Sequence, residues 1–139
     1  PDYAHMYFDV RYQCSEEAVR VKEGFARICD TVHIEGTSAN YIYKEYMPPF
    51  DVTLEGERLA DLVAEVSQKQ GLGAMGKIFL GGSSDACYFT MAGVPTVCAM
   101  GVCGQFNHSS KEYALVESLY TRTKLLACTV LDIEKFASF

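Results

Sequence analysis

The sequence predicts an α/β protein with strands and helices in layers, and three observations predict it. Segments rich in aromatic and β-branched residues alternate with segments whose apolar residues recur at helical spacing. After residue 50 the alternation is strand, helix, strand, which calls for a parallel sheet covered by helices. At 139 residues, 49% of them apolar and 22% charged, the chain is long enough to bury a core.

The elements follow in order. Residues 4–12, AHMYFDVRY, roughly alternate apolar and polar and read as a strand. Ser15 with Glu16 and Glu17 is a helix start, because a hydroxyl caps free amides and acids favour the positive end of the helix dipole. Ala18, Val21, Phe25 and Ile28 then repeat at helical spacing and predict one buried stripe. Residues 31–36, TVHIEG, and 40–47, NYIYKEYM, read as two more strands. Pro48 and Pro49 break the pattern and mark a boundary. A helix after Thr53 carries Leu59, Leu62, Val63 and Val66 on one face and stops near Gly71. Residues 77–80, KIFL, and 95–101, PTVCAMG, are expected as short buried strands. A last helix, starting near Glu112, carries Leu115, Leu119, Leu126, Val130 and Ile133. The sequence contains neither internal repeats nor low-complexity stretches.

Charge and composition exclude several classes. A net charge of −6 argues against a nucleic-acid surface, which needs clustered Lys and Arg. No apolar run approaches the roughly 18 residues of a membrane span, and the first residues do not read as a signal peptide. The six cysteines are scattered among apolar neighbours without the spacing of a metal knuckle. They read as reduced core thiols of a cytosolic protein, with a disulfide framework as the alternative.

Two stretches carry candidate chemistry. GGSSDACYFTMAGVPT, residues 81–96, places two glycines, two serines and an aspartate between a strand and a helix. At the carboxyl edge of an α/β sheet such turns meet ligands, and the free amides of the next helix attract an anion. The alternative is a capped turn with Ser83, Ser84 and Asp85 as caps. No phosphate-loop lysine follows and no Gly-x-Ser-x-Gly elbow occurs, so neither a nucleotide loop nor a serine hydrolase is indicated. The second stretch, GVCGQFNHSSKEY at residues 101–113, sets His108 in a Gly-rich polar loop past a strand end. There a histidine either ligates a metal or simply packs. Cys103 nearby raises a Cys–His nucleophile pair, although the lack of an orienting acid favours an inert thiol. His5 and His33 lie in strand patterns and are expected on the surface or in packing.

Taken together, PDYAHMYFDVRY, MPPFD, GGSSDA, AGVPTVCAMG and FNHSSKEYALVESL, in this order and spacing, resemble the dinuclear zinc hydrolases. That family includes aminoacylase, glutamate carboxypeptidase and succinyl-diaminopimelate desuccinylase, and the resemblance covers essentially the whole chain. It implies a catalytic α/β domain interrupted by a smaller βαββαβ lid that also forms a homodimer. Residues 1–47 would be the second half of the lid, and residues 48–139 the C-terminal segment of the catalytic domain. The family's other metal and catalytic residues would lie upstream of Pro1, so the chain is expected to be a C-terminal fragment, inactive alone. The start at proline rather than methionine agrees with that expectation.

By the same resemblance His108 is the late histidine that closes one of two zinc sites. Gly82, Ser83 and Ser84 match the turn that holds a substrate carboxylate. The implied reaction cleaves an amide beside a free carboxylate, in an acyl-amino acid or small peptide. Zinc-bound water attacks and a glutamate moves the proton. Two departures weaken a diacid-specific reading. Cys87 stands where desuccinylase-like members often carry arginine, and Met47 where several carboxypeptidase-like members do. Two other classes remain. One is a non-catalytic α/β module for anion binding or dimerisation, in which His108 is incidental; the other is a cysteine hydrolase using Cys103.

Overall fold

The computed structural model describes residues 2–80 and 82–137. They form a helix-dominated α/β chain in two compact units, one of Pro1–Asp51 with Leu80–Tyr88, the other of Val52–Phe79 with Phe89–Phe139.

The first unit is built on α1, Ser15–Asp30. The residue ahead of the helix is Cys14, whose side chain makes no capping bond. Ser15 does not cap the helix either: its amide and hydroxyl both donate to the Asp51 carboxylate, at 2.8 and 2.5 Å. Glu17 instead reaches back past Cys14 and accepts the Gln13 amide, one residue ahead of the cap position, at 2.9 Å. Along the predicted stripe Ala18 is buried and Val21 and Phe25 are half-buried, but Ile28 stays 55% exposed.

Phe25 meets Phe8 edge-on, with ring centroids 5.4 Å apart, and Tyr41 at 5.9 Å. The Tyr12 and Tyr43 hydroxyls lie 3.0 Å apart, one donating to the other, and both stand within hydrogen-bond reach of Glu45 Oε1, at 3.3 and 3.2 Å. Lys22 sits 4.3 Å above the Tyr43 ring and 3.8 Å from the Glu45 carboxylate. The bond to Tyr43, then burial, raise the Tyr12 phenol well above the usual tyrosine range. Side chains therefore tie residues 4–12 and 40–47 to α1 and to each other. No ladder forms there or along 31–36, contrary to the expectation of three strands. Alternating sequence makes a residue run fit a pleated surface, but a strand exists only where a partner takes its amides and carbonyls.

The second unit has a conventional core. Thr53 caps α2, Leu54–Lys69, by accepting the Gly56 amide at 3.0 Å. The helix ends at Gly71 in the left-handed conformation, φ 68°. There the Leu72 amide bonds to Ser67 O and the Gly71 amide to Gln68 O, a Schellman closure that a Cβ would strain. Leu62, Val63 and Val66 pack with Leu125 of α4, Val116–Leu131, and Met75, Met100 and Phe136 flank them. A short α5, Glu134–Ala137, follows through Asp132, whose carboxylate meets Lys135 at 2.6 Å and Lys69 at 3.4 Å. The bond to Lys135, aided by Lys69, holds Asp132 below the usual carboxylate range.

Three expectations in this region are corrected. Residues 77–80 and 95–101 form no strands, and the left-handed backbone at Ala99, φ 62°, bends the second run. The sheet among the described residues is one antiparallel pair, β1 Gly104–Gln105 with β2 Tyr113–Ala114, not a parallel layer. The last helix starts at Val116, because β2 occupies the preceding residues. Its buried positions are Ser118, Leu125 and Thr129, while Leu119, Leu126 and Val130 face outward.

Candidate functional site

His108 lies in the loop joining β1 to β2. Gly104 pairs with Ala114 and Gln105 with Tyr113, and a Cβ on Gly104 would overlap the Tyr113 carbonyl. Glycine is thus what lets the strands approach. Ser118 fixes the base of the hairpin: its hydroxyl donates to Leu115 O at 2.6 Å and accepts the Cys103 amide at 2.9 Å. The Leu115 amide closes the bracket on Cys103 O at 2.8 Å. At the far end Ser109 donates to Phe106 O at 2.7 Å and accepts the Lys111 amide. Phe106 and Tyr113 rings stand 6.1 Å apart across the loop base.

Phe106 and His108 both take left-handed φ, 61° and 64°. Histidine tolerates that conformation better than most residues, and here it turns the chain while keeping the imidazole exposed. Sequence reasoning found the loop and its histidine but missed Gly104 and Ser118, the residues that hold the hairpin. The signal for Gly104 was a glycine within a strand-like run.

The Gly-rich turn belongs to the first unit and His108 to the second, so the two form no site within either unit. Gly81 lies outside the described residues. Ser84 caps α3, Ala86–Met91, accepting the Ala86 amide on its hydroxyl at 3.2 Å and the Cys87 amide on its carbonyl at 3.1 Å. Gly82, Ser83 and Asp85 precede that helix, and Gly82 has open space around its Cα. Cys87, the second residue of α3, is fully buried.

The described residues hold no group of three or more His, Cys, Asp or Glu able to bind a metal. The donors in this chain therefore do not fit a zinc site by themselves, because a closed site takes about four ligands. Cys103 is half-buried with its sulfur 3.4 Å from the Arg122 guanidinium, so its polar partner is not an imidazole base. His5 stacks beside Tyr7 at 4.6 Å, and His33 is exposed. None of the six cysteines is in a disulfide; Cys87 is buried, Cys98 is exposed and the other four are half-buried, Cys128 among them packing against the Leu62–Leu125 core. Among the described residues no helix is long and apolar enough to cross a membrane.

No curated protein and no solved structure matches the chain. The family model for peptidase family M20/M25/M40 does match, and its match runs over residues 7–132. It takes in the first helix, the Gly-rich turn, the His108 hairpin and all of α4. The chain therefore belongs to peptidase family M20/M25/M40, a family of hydrolases of the metallopeptidase type.

Proposed function

We propose that this chain is the C-terminal part of a zinc-dependent hydrolase that cleaves an amide bond next to a free carboxylate. The family match across residues 7–132 carries the proposal. Residues 1–47 then belong to the lid and 48–139 to the catalytic domain. His108 supplies one ligand to a two-zinc site whose other ligands lie outside residues 1–139. Its exposure at a hairpin tip supports that role, since a ligand must reach a metal it shares with distant segments. Gly82, Ser83 and Ser84 orient the substrate carboxylate, an acyl-amino acid or small peptide being the substrate class. Cys87 and Met47 put no cation beside the acyl group, which favours acyl chains without a second charge.

The experiment is His108→Ala in a protein that carries this chain together with the remaining ligands. Hydrolysis is expected to fall by two orders of magnitude or more, about what loss of a metal ligand costs, while the fold and its melting point hold. Hydrolysis near the unsubstituted rate would remove His108 from the metal site.

The lid reading also implies a homodimer through residues 1–47. The exposed Tyr7 and Ile42, at 90% and 87%, lie in strand-patterned runs without ladders and support it. Sedimentation at micromolar concentration should give a dimer that Ile42→Lys weakens; a monomer throughout would contradict the assignment.

A further inference from the structure

A groove of about 450 Å³ runs beside α1, and every residue lining it belongs to the first unit. Arg20, Gly24 and Arg27 line it from the helix, and Arg11 and Tyr12 from the segment ahead. Positions 20, 24 and 27 are four and three residues apart and share one helix face. A rise of about 1.5 Å per residue separates the two arginines by about 10 Å along the axis. Gly24 leaves the space between them bare, since a Cβ there would meet nothing within 4 Å.

Neither Arg20 nor Arg27 has a side-chain hydrogen bond or ion pair among the described residues. Glu23 also lines the groove, three residues after Arg20 and four before Arg27, yet it pairs with neither. Glu17, the other acid, is bound to the Gln13 amide. Arg11 stands with Asp9 at 3.1 Å. Two guanidiniums without protein partners thus line an open gap that no side chain fills, which leaves their donors available to an anion.

We propose that this groove binds a short linear polyanion, an oligophosphate chain whose end groups pair with Arg20 and Arg27 while its middle lies over Gly24. The planar guanidinium fork pairs oxyanions through two parallel N–H···O bonds, and a terminal phosphate offers more charge to it than a carboxylate does. The groove volume lies in the small-ligand range of about 300–1,000 Å³. The protein's overall negative charge disfavours a long polyanion and suits a short one. Tyr12 adds no negative charge to the wall, because a phenol is protonated at neutral pH. The proposal rests on the first unit alone and is independent of the hydrolase reading.

Calorimetric titration of the whole chain with tripolyphosphate, at about 50 mM salt where screening is weak, tests it. One saturable site is expected, weakened about tenfold or more by the double variant Arg20→Gln, Arg27→Gln, as loss of charge-assisted bonds demands. Gly24→Glu should abolish binding, because it places a carboxylate between the two arginines. That variant replaces the poorest non-proline helix former, so its loss of binding does not come from a weakened helix. The charge-matched control Lys44→Gln, Arg58→Gln should bind as the unsubstituted chain does. No saturable binding, equal weakening in the control, or phosphate alone binding as tightly as tripolyphosphate would overturn the proposal.

Discussion

The two units hold together in different ways. In the second, two helices bury Leu62, Val63, Val66 and Leu125 against each other, and each end of α2 is closed by its own hydrogen bonds. In the first, the buried residues are Ala18 and Cys87, and the unit is tied by rings and hydroxyls near the surface: Phe8, Phe25 and Tyr41, then Tyr12, Tyr43 and Glu45. Apolar area removed from water scales the first kind of stabilisation, and little is removed in the first unit. One chain thus yields a cored unit where helices face each other and a thin one where strand-patterned segments lack ladders. The difference teaches that local pattern selects candidates, while burial is decided by whether a partner is present.

The largest expected effect breaks the cored unit. Leu125→Ala, at a position 1% exposed, should cost about 3 kcal/mol through lost transfer energy and a cavity. Phe25→Ala in the first unit should cost about 1–2 kcal/mol, the range of edge-on aromatic contacts with part of a side chain's burial. Urea unfolding of both variants measures the gap. Equal costs would show that the first unit has a core of its own after all.

How much of this was legible in the sequence follows the same line. α2 was readable because its signals are local, an apolar repeat at helical spacing and a glycine stop; that Thr53 caps it is seen only in the structure. α1 was readable for the same reason, though Ser15 spends its donors on Asp51, a partner far along the chain. The strands were not readable as strands, since a ladder depends on what lies alongside. The outer face of α4 was misassigned because buried polar residues look exposed in a pattern. Ser118 and Thr129 go inside since each hydroxyl bonds a carbonyl of its own turn, at Leu115 and Leu125. At the candidate site the sequence showed a histidine in a loop. The hairpin that carries it was invisible, because strands of two residues leave no periodicity to read.

A smaller effect sharpens the comparison at the end of the cored unit. The bond to Lys135, with Lys69 beside it, lowers the Asp132 pKa in the folded state. A lowered carboxylate pKa contributes stability above its unfolded value and loses it as pH falls through the folded one. The closure of α2 and α4 onto α5 should therefore loosen on acidification below the usual carboxylate range, and Asp132→Asn should remove that dependence. Carbon-detected NMR titration of the Asp132 carboxyl reads it directly. A midpoint at or above the ordinary aspartate value would show that the two lysines do not hold it.

The central claim is that the cored unit presents His108 as one ligand of a metal site completed from elsewhere. Dialysis of this chain against zinc, followed by metal analysis, tests it most directly, because one imidazole cannot retain the ion that about four ligands hold. The account predicts well under one tightly held zinc per chain, and none that His108→Ala changes. One or more tightly bound zinc ions per chain would contradict it, since the ligands would then all be present within residues 1–139.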